Sequence, residues 1–284
     1  MSDEAENKFI AQIEAVGDLN DRDIDLAQTA LAIAAVHDNV NSIERYENHI
    51  KKLIDQTALR YQALLKEGST DSTALRLQAL RDIIAEKHDY IGDSETYEDL
   101  QNVNLIRVIE RRKGMPVSLA LLYIHIGKAQ GWDIVALSFP AHVICRIDFE
   151  SERILFDPFH KAKEMQASDL RQMMKELIGD HMELSGHYYT PAPHRDILIR
   201  MQNNIKLRQI EAEDYEAALI TIQIMQLLDP QEHRLLFDAG VLCARTHQIK
   251  AAIDNLEDYI DLTPSFDDKQ EAILLLNEIK NSLN

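Results

Sequence analysis

A chain of 284 residues with 45% apolar and 27% charged side chains has an ordinary globular composition, which excludes wholesale disorder. At about 100–200 residues per domain, its length predicts two domains. Thirty Lys and Arg stand against forty-eight Asp and Glu, a net charge of −18 with the eleven His neutral, and this argues against nucleic acid or an anionic membrane as the main partner.

The opening, Met1 to Asn7, is acidic where a secretory signal would be basic and then apolar. No run reaches the about 18 apolar residues that a bilayer span needs. The nearest, Val117 to Ala129, is interrupted by Ser118, His125 and Lys128. These features predict a cytoplasmic protein whose two cysteines, Cys145 and Cys243, are reduced and buried.

From Asp23 to about Glu110 apolar residues recur at helical spacing: Ile24, Ala27, Leu31 and Ala34, then Ile43, Tyr46, Ile50, Leu53, Leu59 and Tyr61, then Leu75, Leu80, Ile83 and Ile84. Turn signals at His37 to Asn39 and Gly68 to Asp71 divide them, and Ser72 or Thr73 is placed to cap the helix that follows. Only nine Gly and seven Pro interrupt the whole chain, so an all-helical first layer is expected.

Past this layer the pattern changes. Gly114-Met115-Pro116 stops one helix and starts another, which runs to about Gln130 and ends at Gly131. Short β-branched or aromatic runs follow at Ile134–Phe139, Val143–Ile147 and Arg153–Phe156, with a turn from Asp148 to Glu152 making a hairpin of the last two. Helices followed by antiparallel strands give an α+β arrangement. Asp169–Ile178 is helical again, and Gly186 to His194, extended by its two prolines, reads as a linker. The expected division is therefore 1–185, a linker at 186–196, and 197–284.

The last part repeats itself. Asp214 to Leu219, closing at Pro230, aligns with Gln248 to Ile253, closing at Pro264, with a shift of 34 residues for both Ala218 to Ala252 and Pro230 to Pro264. That is the period of tetratricopeptide helix pairs, and Gly240 stands where such pairs favour a small residue. Residues 267–283 are expected to add a capping helix.

Three residues of the middle segment form a chemical candidate: Ser118 at a helix start, His142 on a strand, and Asp157 one strand over. A helix N-terminus favours a developing anion, an imidazole can remove a proton, and a carboxylate fixes the imidazole tautomer. Other candidates read more simply. His181, His187 and His194 lack metal-ligand spacing, and Arg111-Arg112-Lys113 complements a helix C-terminus rather than a phosphate. Trp132 is expected to pack where helix gives way to strand. No metal or cofactor is expected.

Order and context of the three residues resemble the transglutaminase-like (papain-related) core. Residues from about 85 to 175 resemble the SirB1 family, in which such a core precedes tetratricopeptide repeats. The resemblance is carried by Tyr90-Ile91-Gly92-Asp93, Tyr97, Asn104 to Arg112, Gly114 to Ala120, Phe139-Pro140-Ala141-His142 and Asp157-Pro158-Phe159. It implies a bacterial regulatory or accessory protein. The resemblance to transglutaminase-like enzymes implies a nucleophilic Cys in a Gly-x-Cys helix start, where this chain has Gly114-Met115-Pro116. Ser118 lies two residues on, about 200° around the helix. Cys145 falls on the strand face opposite His142, and Cys243 belongs to a repeat helix.

Two readings follow. One is a non-catalytic scaffold that binds another protein through its repeats, with His142 and Asp157 as a buried pair. The other is a Ser-dependent amidase, protease or acyl transferase using Ser118, His142 and Asp157.

Overall fold

A computed structural model describes residues 1–179 and 184–281. The chain forms two compact units, one of Met1–Phe9 with Asn20–Ile197 and the other of Ile10–Leu19 with Leu198–Asn284.

The acidic opening is folded: α1 (Asp3–Gly17) buries Phe9, Ile13 and Val16 at helical spacing. Within the first unit, α2 (Leu26–Asp38) starts at Asp25, whose carboxylate accepts from the Gln28 N–H at 3.0 Å, and stops at Asn39 in the left-handed conformation. Almost all of α2 is buried, not a single stripe. In α3 (Glu44–Lys66) Tyr46, Ile50, Leu53 and Leu64 face inward, whereas Leu59, expected on that stripe, is 70% exposed. The reason is rotation: six residues past Leu53 a helix has turned about 240°. Ser72 caps α4 (Thr73–Arg81) through the Leu75 N–H, and the chain continues as a π-helical turn over Asp82–Lys87.

Two-residue strands β1 (Ile91–Gly92) and β2 (Lys113–Gly114) then pair in parallel on either side of α5 (Leu105–Arg111). Pro116 begins α6 (Pro116–Ala129), and Gly131 follows its end with φ 76°. Every residue from Pro116 to Ile124 is buried, because α2, α3 and α4 lie against α6 from one part of the chain and the sheet from another. The apolar run from Val117 is therefore a core helix. No helix among the described residues is long and apolar enough to cross a membrane.

The sheet is antiparallel, in the order β3 (Asp133–Ala136), β4 (Cys145–Phe149), β5 (Glu152–Asp157), β6 (Lys163–Met165), and it leads into α7 (Ala167–Leu177). The expected hairpin is present, but two strand boundaries differ from expectation. β3 stops at Ala136 and β4 starts only at Cys145, since Pro140 has no N–H to donate and Ala141 takes φ 59°. Polar β6 carries no alternating pattern to betray it. Trp132 is buried and meets the Tyr61 ring edge-on at 5.2 Å, where α6 gives way to β3.

The stretch expected as an extended linker is ordered against β3. Gly186–Tyr189 is a 3-10 turn, the Ala192 N–H donates to the Ala136 carbonyl, and the Ser138 N–H donates to Thr190. Helix α8 begins at His194 and runs to Glu211.

The second unit is all-helical, continuing with α9 (Tyr215–Leu228), α10 (Arg234–Arg245), α11 (Ile249–Leu262) and α12 (Phe266–Asn281). Each of the 34-residue repeats is realised in the same way. α9 and α11 end two residues before Pro230 and Pro264, and Ala218 and Ala252 are fully buried. A Cβ at Gly240 would come within 2.7 Å of Leu256, so only the smallest residue lets α10 and α11 approach. Cys243 is buried in α10, as expected of a repeat-helix thiol.

Candidate functional site

The site lies where the end of β5 meets the loop before β4, with α6 packed against the turn that follows β5. Asp157, fully buried, ends β5 and caps a 3-10 turn over Pro158–His160 by accepting the Phe159 N–H at 2.8 Å. Its Oδ1 also accepts from His142 Nε2 at 3.0 Å, and its Oδ2 from His160 Nδ1 at 2.7 Å. Burial alone would raise this carboxyl. The bonds from the two imidazoles outweigh it and hold Asp157 well below the usual carboxylate range. The same bond to Asp157 raises His160, against the opposing effect of its own burial. An ionised carboxylate only accepts, so the His142 proton resides on Nε2, and Nδ1 is the ring atom a nucleophile would have to reach.

His142 does not stand on a strand, as the sequence pattern predicts. It follows a three-residue turn in which its N–H donates back to Pro140 at 2.7 Å across left-handed Ala141. This γ-type turn is a rare, strained geometry. It aims the imidazole at Asp157 from outside the ladder, which closes with Cys145 opposite Phe156.

Ser118 sits in the first turn of α6 with no exposed surface. Its hydroxyl donates to the carbonyls of Asn102 (3.0 Å) and Val103 (3.2 Å). Pro116 occupies the first helical position. Cys145 is buried, and desolvation, with the nearby Asp157 charge, pushes its thiol well above the usual range. The structure thus joins His142 to Asp157 and directs the Ser118 hydroxyl to backbone carbonyls.

Sequence reasoning missed two components. The first is His160, three residues past Asp157 and visible only once the Asp157-Pro158-Phe159 turn is known to fold back. The second is a buried ion pair. Asp93, with a 1% exposed side chain, accepts from Arg111 Nη2 at 2.7 Å, the Thr96 hydroxyl at 2.8 Å and the Thr96 N–H at 3.1 Å. Burial would raise it, but these bonds hold it down to about 2. Arg111 also donates to Asn102 Oδ1 at 2.9 Å, and the Asn102 carbonyl receives both the Ser118 hydroxyl and the Met115 N–H. Arg111 is therefore a buried-network residue and not merely a helix-end charge. Arg112 turns to His49 Nε2 and the Tyr90 hydroxyl, and Lys113 pairs with Glu95.

Phe159 links the two components. Its ring meets His142 at 6.0 Å, Tyr97 at 5.8 Å and His160 at 5.2 Å, all edge-on, and covers Gly92 so closely that a Cβ there would overlap it.

Among the described residues no three His, Cys, Asp or Glu side chains are grouped to hold a metal ion. His187 is exposed, and His194 is buried, donating from Nδ1 to the Ile24 carbonyl. His181 lies outside the described residues.

Comparison with known proteins matches two segments of the chain. Residues 44–203 match the family model described as transglutaminase-like superfamily, and residues 205–277 match tetratricopeptide repeat. A UPF0162 protein of Xylella fastidiosa (strain Temecula1 / ATCC 700964) is 26% identical over 253 residues, 87% of each chain. A UPF0162 protein of Vibrio cholerae is 24% identical over 87% of this chain and 90% of the relative. Protein SirB1 of Salmonella typhimurium is 23% identical over 56% of this chain and 60% of its own length. No solved structure matches significantly. With a matching core over more than half its length and repeats behind it, the chain belongs to the transglutaminase-like superfamily, in the SirB1 family.

Proposed function

We propose that this chain is a non-catalytic scaffold or accessory protein of the bacterial cytoplasm, whose transglutaminase-like core has a structural His–Asp pair and whose repeat helices bind another protein. The observation that carries the reading is the state of Ser118. Its hydroxyl is buried and spent on two backbone carbonyls, while Pro116 stands where the family resemblance calls for a thiol. A nucleophile must be deprotonated by its base and reach its substrate, and a buried hydroxyl donating to a carbonyl satisfies neither condition. Cys145 offers no substitute, since burial suppresses its thiolate. The repeats support the binding half, because stacked helix pairs expose an extended surface suited to a protein segment.

The second reading, a Ser118/His142/Asp157 hydrolase or acyl transferase, is favoured by one feature: Asp157 has already set the His142 tautomer that such chemistry needs. Labelling of the full chain with a fluorophosphonate separates the two. The scaffold reading expects no labelling and unchanged partner capture in Ser118→Ala. Labelling that vanishes in Ser118→Ala would establish the enzyme instead.

A further inference from the structure

Helix α12 is amphipathic in an unusual sense. One side, Ala272, Leu276 and Ile279, is buried, with Leu276 and Ile279 in the core of the second unit, at the i, i+4, i+7 spacing of a packed helix. The opposite side is not simply polar. Phe266 is 72% and Leu274 65% exposed, and Leu262 at the end of α11, four residues before Phe266, is 51% exposed. At 100° per residue Phe266, Gln270, Leu274 and Asn277 fall within about 80° of one another, so the first three make an i±4 ridge of the kind that seats against a neighbouring helix.

The surroundings of that ridge are strongly acidic. From Ile249 to Asn281 there are eight carboxylates and three lysines. Asp258, Asp261, Asp267, Glu271 and Glu278 are exposed, whereas Lys280 is engaged with Glu257 at 2.7 Å. Apolar side chains left in water inside a field of one sign mark an interaction surface whose partner carries the opposite sign.

Building on the scaffold reading, we propose that the outward face of α12, together with Leu262, docks a basic amphipathic helix of a partner protein. The partner's apolar stripe covers Phe266 and Leu274, and its Lys and Arg side chains reach Asp267, Glu271 and Asp261. A second copy of this chain would bring two acidic faces together, and an anionic membrane would meet like charge, so neither satisfies the electrostatics.

The test uses the full chain and a fluorescent synthetic helical peptide of about five turns, with Leu at heptad core positions and Lys elsewhere. A counterpart with Glu in place of Lys serves as the control. The Lys peptide is expected to bind, more weakly as salt rises, and the Glu peptide is not. Phe266→Ser/Leu274→Ser should raise Kd about tenfold or more with unchanged thermal unfolding, and Asp267→Asn/Glu271→Gln should flatten the salt dependence. Equal binding by the wild type and the double Ser variant would overturn the proposal. So would equal binding of the two peptides, or a wild-type dimer in sedimentation that the double Ser variant abolishes. Partner capture from a lysate that survives in the double Ser variant would overturn this surface while leaving the scaffold reading intact. Serine-directed labelling would overturn the scaffold reading without touching the peptide result.

Discussion

His142 and His160 share one carboxylate, each holding a different oxygen of Asp157, so the site is a three-member array with its anion in the middle. The two histidines differ in setting: His142 has a 9% exposed side chain and His160 a 61% exposed one.

That asymmetry predicts a pH signature. His160 is raised in the folded state, so its pairing stabilises fully below the unfolded histidine value, about 6.5, and the contribution fades as pH rises through the raised folded value. His160→Asn keeps a short donor and removes the titration. Across a series of thermal melts from mildly acidic to alkaline pH, the wild type should lose its advantage over His160→Asn as pH rises. A constant difference would contradict the assignment.

Asp93 behaves with the opposite sign. Depressed to about 2 against about 4 when unfolded, it stabilises at neutral pH by about 2–3 kcal/mol, a contribution lost as pH falls through that interval. Asp93→Asn should lower stability by about that amount in denaturant titrations at neutral pH and by about half of it near pH 3. Arg111→Met should be at least as costly, because it leaves a buried carboxylate without its charged partner.

Gly92→Ala tests the packing of Phe159. The new methyl would lie about 2.4 Å from the ring, so either the ring or β1 must move, at about 1–3 kcal/mol. Because Phe159 also abuts His142 and His160, the variant should shift the imidazole resonances of both histidines in NMR spectra, a readout that simple loss of stability would not produce.

Gly240→Ala probes the repeat in the same way. A methyl 2.7 Å from Leu256 should cost about 1–3 kcal/mol by forcing α10 from α11, even though alanine is the better helix former by about 1 kcal/mol. Stabilisation by this change would show that the close approach is not required.

Much of this architecture is written in local patterns. Pro116 and Gly131 bracket α6, Ser72 caps α4, and the 34-residue shift from Pro230 to Pro264 marks equivalent helix ends. The pairing of His142 with Asp157 was readable from order and motif. What escaped depends on the chain folding back on itself. Whether His142 lies in a strand is decided by Pro140 and left-handed Ala141, which break a stretch of otherwise good strand formers. The role of Ser118 is set by two carbonyls 15 and 16 residues upstream, and nothing in its neighbours announces them. Arg111 looks like an ordinary helix-end cation until the β1–β2 pairing brings Asp93 alongside.

The enclosure of α6 also bears on the order in which the protein is made. Its cover comes from helices upstream in the chain and from β3 and the turn at Pro158–His160 downstream. A ribosome therefore releases this apolar helix with half of its wrapping unsynthesised, and some thirty further residues must emerge before the cover closes. During that interval the apolar segment from Val117 to Ile126 lacks part of its cover, which makes it a stretch open to aggregation or chaperone capture.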